Sequence, residues 1–131
     1  PEPGSIYVMD RGYLDFQRLY LLTRFQASFV IRARQNLRYE RRYSAPVDRS
    51  TGLVCDQTIM LTVPRSAAGY PEKLRRIRYR DPESGKSLVF LSNNFELSAL
   101  TVTELYRSRW HVEIFFRWIK QTLKIRHYLG T

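Results

Sequence analysis

Four side chains that could form a catalytic or binding site lie near the end of the chain: Tyr106, Arg109, Glu113 and Lys120. Thr101 and Glu104 form a capping box, and no helix breaker follows before Gly130, so we predict one long helix that starts at Thr101. On such a helix the four side chains share a face about 60° wide. This face presents one carboxylate among cations and a phenol.

That combination suits metal-assisted phosphoryl transfer. A carboxylate can hold a divalent ion against a scissile phosphate, while flanking Arg and Lys side chains bind neighbouring phosphates. Arg117 and Lys124 extend the cationic side of the helix. Geometry alone leaves a second interpretation open, because Arg109 and Glu113 are also an i, i+4 pair of the kind found on ordinary exposed helices.

Composition narrows the class of protein. The 131 residues are 44% hydrophobic and fit one domain with a real core. Lys and Arg number 22 against 12 Asp and Glu, a net charge of +10 that favours a polyanionic partner such as DNA or RNA. The single Cys55 excludes an internal disulfide, and no Cys/His cluster has zinc spacing.

Several classes lack their signatures. GxSxG and Walker-type motifs are absent, so serine hydrolases and NTPases have no support. No apolar run approaches ~18 residues and no signal peptide is apparent. We therefore expect a soluble cytoplasmic protein with no membrane partner.

Asp10 is a second acid of interest. It follows a short apolar run, Ser5 to Met9, which suits a buried strand of an α/β sheet. Acids at the carboxyl end of such a strand lie at the edge where ligands bind. The alternative is that Asp10 merely starts an Asp-Arg-Gly turn. Both interpretations stay open on the residues alone.

The segments between these acids predict an α/β core with an antiparallel insertion. Leu14–Arg24 has a helical apolar pattern and Ala27–Ala33 reads as a strand, which completes a parallel strand-helix-strand unit. Four β-type runs follow: Leu37–Tyr43, Asp56–Val63, Leu74–Tyr79 and Lys86–Leu91. The last two should pair as a hairpin across Asp81–Gly85.

The predicted insertion is rich in Arg. On its third strand, Arg75, Ile77 and Tyr79 should face one way and Arg76, Arg78 and Arg80 the other. One face could lie on a phosphate backbone, with strongly salt-dependent binding. The alternative is a charged face that protects a sheet edge. Nearby tyrosines could stack on bases, although cross-strand packing is their more common role: Tyr39, Tyr43 and Tyr70.

The spacing Y-x2-R-x3-E-x6-K, formed by Tyr106, Arg109, Glu113 and Lys120, resembles the signature of the IS4 family of bacterial DDE transposases. The surrounding LYRSRWHVEIFFRWIKQTLKIRHYLGT is similar to the family's C-terminal catalytic helix, and MDRGYLDF looks like its second acid motif. The resemblance implies part of an RNase H-like α/β core. Its expected parts are a strand-helix-strand unit in residues 1–33, an inserted antiparallel β subdomain in 34–95 and the catalytic helix in 96–131.

The resemblance also implies roles for single residues. Asp10 and Glu113 would be catalytic acids that bind Mg2+ or Mn2+. Tyr106, Arg109 and Lys120 would assist catalysis. The residues expected to bind DNA are Tyr106, Arg109, Arg117, Lys120 and Lys124.

The implied function is DNA transposition. The whole protein would cut and rejoin phosphodiesters of double-stranded DNA, at transposon ends and in the target, by two-metal-ion catalysis. It would act as a homodimer in a synaptic complex, in the bacterial cytoplasm at the nucleoid.

One departure from the family pattern concerns the first of its three acids. The family's first Asp lies on an earlier strand, and no Asp precedes Asp10 here. The chain opens without Met and reads as a piece of a longer protein, so we expect it to lack catalysis by itself. The competing interpretations are a non-catalytic basic nucleic-acid-binding module and a structural or toxin-antitoxin interaction protein.

Overall fold

The computed structural model describes residues 2–10 and 15–109, with Arg109 as backbone only. In chain order the elements are β1 (Ile6–Met9), α1 (Phe16–Arg24), β2 (Ser28–Arg32), β3 (Tyr39–Ala45), a 3-10 turn (Arg49–Thr51), β4 (Leu53–Leu61), α2 (Pro64–Gly69), β5 (Leu74–Arg80), β6 (Ser87–Ser92) and α3 (Ala99–Arg109). The six strands form one mixed sheet in the order β1-β2-β6-β5-β4-β3. The expected α/β class is confirmed.

The unit β1-α1-β2 has the predicted parallel arrangement. β1 pairs with β2 in a register that places Val8 beside Val30. Asp15 begins α1 as its N-cap, and its Oδ1 accepts hydrogen bonds from the amides of Gln17 and Arg18 at 3.1 and 3.4 Å. The helix therefore has a local start signal that supports the crossover between the two strands.

The strands of residues 34–95 continue the same sheet. β3, β4, β5 and β6 pair antiparallel in sequence, and β6 pairs antiparallel with β2. The predicted hairpin is confirmed, because Arg80 faces Ser87 across the Asp81–Gly85 loop. The boundaries of the three expected segments stay a prediction.

The sheet has a core on each face. The first, which we call the α3 face, includes Ile6, Val8, Val30, Ile77 and Phe90 with Val102 and Tyr106 of α3. The second, the α1 face, includes Leu19, Phe29, Ile31, Tyr70 and Leu91. Strand alternation sends neighbouring side chains to these opposite cores.

The predicted start and capping box of the last helix are wrong. α3 begins at Ala99, and the Oγ of Ser98 accepts a hydrogen bond from the Thr101 amide at 3.1 Å. Glu104 instead pairs with Arg107 at 3.0 Å. Ser98 provides the cap because its hydroxyl precedes the first turn, where amide donors need partners. The predicted part of this helix beyond Arg109 lies outside the described residues.

None of the helices in the described ranges is long and apolar enough to cross a membrane.

Candidate active site

Asp10 lies at the carboxyl end of β1 and is half-buried. Ile6 and Val8 point into the core of the α3 face, so the alternation of the strand continues to Asp10 on that face. Met9 pairs with Ile31, which brings Asp10 level with Arg32 at the end of β2. The acid therefore lies where two parallel strands end together, as the sequence predicts.

α3 runs towards the same edge. Just before the helix, the side-chain Nδ2 of Asn94 donates to the Ser28 Oγ at 3.1 Å, at the amino end of β2. Further along, the Tyr106 ring lies 4.8 Å from the ring of Phe90, which pairs with Arg32 at the carboxyl end of β2. The helix is thus directed from the amino ends of β1 and β2 towards the edge that carries Asp10.

Tyr106 is fully buried. Its exposed fraction is 0%, and it belongs to the core of the α3 face. The buried side of α3 consists of Ala99, Val102, Thr103 and Tyr106, at i, i+3, i+4 and i+7. The helical wheel in the sequence placed Tyr106 on the polar side instead. In the structure its ring fixes α3 on the sheet, and its expected role with DNA stays a prediction.

The other predicted site residues of the last helix are not described. Arg109 is the last residue of α3 within the described part of the chain, and Glu113, Arg117, Lys120 and Lys124 lie outside the described residues. Within residues 2–10 and 15–109, no three His, Cys, Asp or Glu side chains come together as a metal site. Asp10 supplies a carboxylate, the ligand type that Mg2+ prefers, so it fits the expected ion in kind.

A buried ion pair was missed by sequence reasoning. Arg75 on β5 is 6% exposed, and its Nε and Nη2 donate to the two carboxylate oxygens of Asp56 at 2.8 Å each. Its Nη1 donates to the carbonyls of Asn94 and Leu97, in the loop before α3. Arg75 is therefore not available to a phosphate backbone, and its ion pair was not predicted from the sequence. Its place in alternation with Ile77 and Tyr79 was the signal that it points inward.

Ser92, Asn93 and Asn94 fix the course of the chain between β6 and α3. Asn93 Oδ1 accepts from the Phe29 amide, and its Nδ2 donates to Thr23 Oγ1 and the Ala27 carbonyl, all at 2.9 Å. The Ser92 hydroxyl donates to the Phe29 carbonyl at 2.6 Å. These bonds join β6 to β2 and α1.

The other Arg side chains of β5 behave as the alternation predicts. Arg78 and Arg80 are exposed, whereas Ile77 and Tyr79 are buried. Arg76 is half-buried, with its guanidinium 4.8 Å from the Tyr39 ring and its Nη1 donating to Gln57 at 3.0 Å. The exposed pair supplies positive charge on the α1 face.

Among the three tyrosines named for possible base stacking, exposure differs widely. Tyr43 is 60% exposed, Tyr39 is half-buried and Tyr70 is 1% exposed. Tyr70 packs edge-on against Tyr20 and Phe29. Tyr70 is therefore a core residue, and its ring is not available for stacking on bases.

The fold is an α/β fold with an acid, Asp10, at the carboxyl end of a parallel strand, the edge where ligands bind in many such sheets. Comparison with known families gives the narrower assignment: the family described as Transposase DDE domain matches residues 2–129, and the chain belongs to this family. The expected class of DDE transposases is thereby confirmed. The assignment to the IS4 family stays a prediction.

Two relatives carry transposase names. The chain is 32% identical to "Putative transposase y4zB" of Sinorhizobium fredii over 132 residues, which cover 98% of this chain and 37% of the relative. It is 29% identical to "Probable transposase for insertion sequence element IS5377" of Geobacillus stearothermophilus over 127 residues, covering 97% and 33%. The chain thus spans about a third of the length of these relatives. No solved structure is significantly similar to it.

Proposed function

We propose that this chain is part of the catalytic domain of a transposase that cuts and rejoins DNA phosphodiesters at transposon ends. The observation that carries the proposal is the position of Asp10. It ends β1 on the face where α3 packs, and α3 is directed towards the same edge, in a chain of the transposase DDE family. An acid carried further along that helix would approach Asp10.

The architecture supports an RNase H-like core. β1 and β2 are parallel and joined by α1, and α3 covers the opposite face of the sheet. The four antiparallel strands enter the chain between β2 and α3. In this arrangement they extend the sheet from β2 on the side away from β1.

Asp10 and Glu113 are the proposed ligands of Mg2+ or Mn2+. Two such ions, when bound, stabilise the attacking and leaving oxygens of an in-line displacement at phosphorus. The carboxylates supply hard oxygen ligands. Arg109, Lys120, Arg117 and Lys124 hold DNA phosphates, while Tyr106 supports the helix from the core.

The proposed partner is double-stranded DNA, at transposon ends and in the target. The net charge of +10 and the exposed Arg78 and Arg80 favour a polyanion. A homodimer in a synaptic complex would hold two DNA ends together. The proposed location is the bacterial cytoplasm, at the nucleoid.

Substitution of the two acids tests this function in the complete protein. Asp10→Asn and Glu113→Gln should each abolish Mg2+-dependent cleavage of a duplex that carries the element's own terminal sequence. DNA affinity, measured by fluorescence anisotropy in Ca2+, should be retained, because only negative charge is removed. Glu104→Gln is the matched control, since Glu104 lies on α3 and pairs with Arg107. It should cleave like the wild type.

The opposite result would favour a different function. If both acid variants cleave at the wild-type rate with the same Mg2+ dependence, neither carboxylate acts on the metal. If the wild type binds DNA with strong salt dependence but never cleaves it, the chain belongs to a non-catalytic nucleic-acid-binding module.

A further inference from the structure

The ion pair between Asp56 and Arg75 connects the sheet to the start of α3. Arg75 is buried and Asp56 is largely buried, with side-chain exposed fractions of 7% and 13%. Two parallel hydrogen bonds fix the guanidinium on Asp56 of the neighbouring strand β4. The remaining terminal nitrogen, Nη1, is then directed at the carbonyls of Asn94 and Leu97.

The loop that receives these bonds is also held by its own side chains and by β2, since the Asn94 side-chain amide donates to Ser28 Oγ at 3.1 Å. Asn94 Oδ1 accepts from the amides of Glu96 and Leu97 at 2.9 Å each. The backbone amide of Asn94 donates to Ser92 Oγ at 3.0 Å. Ser98 then caps α3. Because the loop is a compact unit joined directly to the cap, the position of the loop decides where the helix starts.

A buried ion pair is weak evidence for a purely stabilising role. Replacing a buried ion pair by apolar side chains of similar volume is often neutral or stabilising, because two charges no longer have to leave water. What apolar side chains cannot do is donate hydrogen bonds to two carbonyls of one loop. The specific contribution of this pair is therefore the direction and position of the loop.

We propose that Arg75, held by Asp56, is a positioning residue that sets the start of α3 and thereby the distance between Asp10 and the acid carried by the helix. This inference rests on the proposed function for its catalytic consequence. A displacement of about 1 Å at a catalytic group can cost about 100-fold in rate. Arg75 itself lies on β5, away from the strand that ends at Asp10.

Three variants separate this role from simple stability. Arg75→Met leaves the Asp56 charge buried without its partner, so it is combined with Asp56→Leu. Arg75→Lys keeps the charge and can reach only part of the bonding set. Arg76→Met is the matched control, because Arg76 is the next residue on β5 and bonds to β4 without contacting the loop.

Amide hydrogen exchange on the purified chain is the first measurement. The double variant should exchange at least about tenfold faster than wild type at Glu96, Leu97 and the first turn of α3, since the loop loses both hydrogen bonds from Arg75. Amides of β1 and β2 should keep their wild-type rates and thus report an intact sheet. Arg76→Met should leave the loop unchanged, and Arg75→Lys should give an intermediate rate.

Cleavage in the complete protein is the second measurement. The double variant should cleave about 100-fold more slowly, with a DNA dissociation constant within about twofold of wild type. Wild-type exchange in the loop, or wild-type cleavage, would each overturn the positioning role. If the exchange pattern is as expected but the wild-type protein cleaves no DNA, the proposed function fails while the control of the helix start by Arg75 stands.

Discussion

At the scale of single residues, burial changes the chemistry of Tyr70. The side chain is 1% exposed, and its hydroxyl shares a 2.7 Å hydrogen bond with Thr23 Oγ1. Burial raises the pKa of Tyr70 to about 12, because the phenolate would lose its hydration. The folded protein therefore holds the phenolic proton at pH values where the unfolded chain releases it.

This shift predicts alkaline destabilisation. The free energy of unfolding should be constant with respect to Tyr70 below pH 10 and fall as the pH rises from 10 to about 12, since the unfolded chain binds fewer protons there. Tyr70→Phe should flatten that fall and cost about 1 kcal/mol at neutral pH through the lost hydrogen bond. Urea unfolding from pH 8 to 12 measures both effects.

The exposed Tyr43 supplies the control for this experiment. Tyr43→Phe should leave the alkaline slope unchanged, because 60% of the side chain is exposed. An equal flattening in both variants would contradict a special role of Tyr70.

The position of Asp10 at a strand end could be predicted from the sequence, whereas the ion pair of Arg75 and the burial of Tyr106 could not. A strand end is visible as an apolar run followed by Asp, so the position of Asp10 follows from a local pattern. The partner of Arg75 is 19 positions away on another strand, and no local pattern pairs them. The burial of Tyr106 depends on Phe90, a contact that only the folded sheet creates.

At the scale of elements, a tight connection precedes β4 at Gly52. Its φ is +99°, and the Arg80 amide donates to its carbonyl at 2.8 Å. A Cβ at this position would lie 2.7 Å from the Tyr79 ring and 2.8 Å from the Arg80 carbonyl oxygen. Only glycine therefore lets the turn approach the end of β5 so closely.

Gly52→Ala should destabilise the chain more than Gly85→Ala. Gly85 also has a positive φ, +74°, but a Cβ there meets nothing within 4 Å. Gly85→Ala should cost about 1 to 2 kcal/mol from backbone strain alone. Gly52→Ala should add a steric conflict that costs about 1 to 3 kcal/mol more. Denaturant midpoints measure the difference, and equal costs would show that the turn relaxes freely.

Most elements could be predicted where the signal is local. The parallel unit and the β5–β6 hairpin follow from apolar runs and turn residues. The predicted start of α3, Thr101, was two residues too late, because the hydroxyl of Ser98 caps the helix. α2 was missed, since its six residues are too few for a periodic pattern. β4 starts earlier than predicted, at Leu53, with an irregular register before Cys55.

At the scale of the whole molecule, the basic residues divide into buried and exposed groups. The charge of Arg75 is paired with Asp56 and buried, whereas Arg78 and Arg80 are exposed on β5. The net charge of +10 therefore overstates what β5 offers to DNA. The exposed pair is the part available to phosphates.

Salt dependence tests this division. If Arg78 and Arg80 each contact a phosphate, changing both to Gln should reduce the slope of log affinity against log salt by about 1.8, at about 0.9 per contact. Arg18→Gln is the control, because Arg18 is exposed on α1 and lies 3.7 Å from Asp15. Anisotropy titrations between 50 and 300 mM KCl would measure the slopes. An unchanged slope in the double variant would exclude this strand from the DNA interface.

The pairing of β2 with β6 also predicts an order of assembly. Val30 and Ser92 meet in the middle of the sheet although a long stretch of chain separates them, whereas β5 and β6 are joined by a short loop. The hairpin can form early and by itself, but joining it to the parallel pair requires closure of that long loop, which is entropically costly and slow. We therefore expect α3 to dock only after this late step, so that the edge that carries Asp10 should be the last part of the described sheet to form.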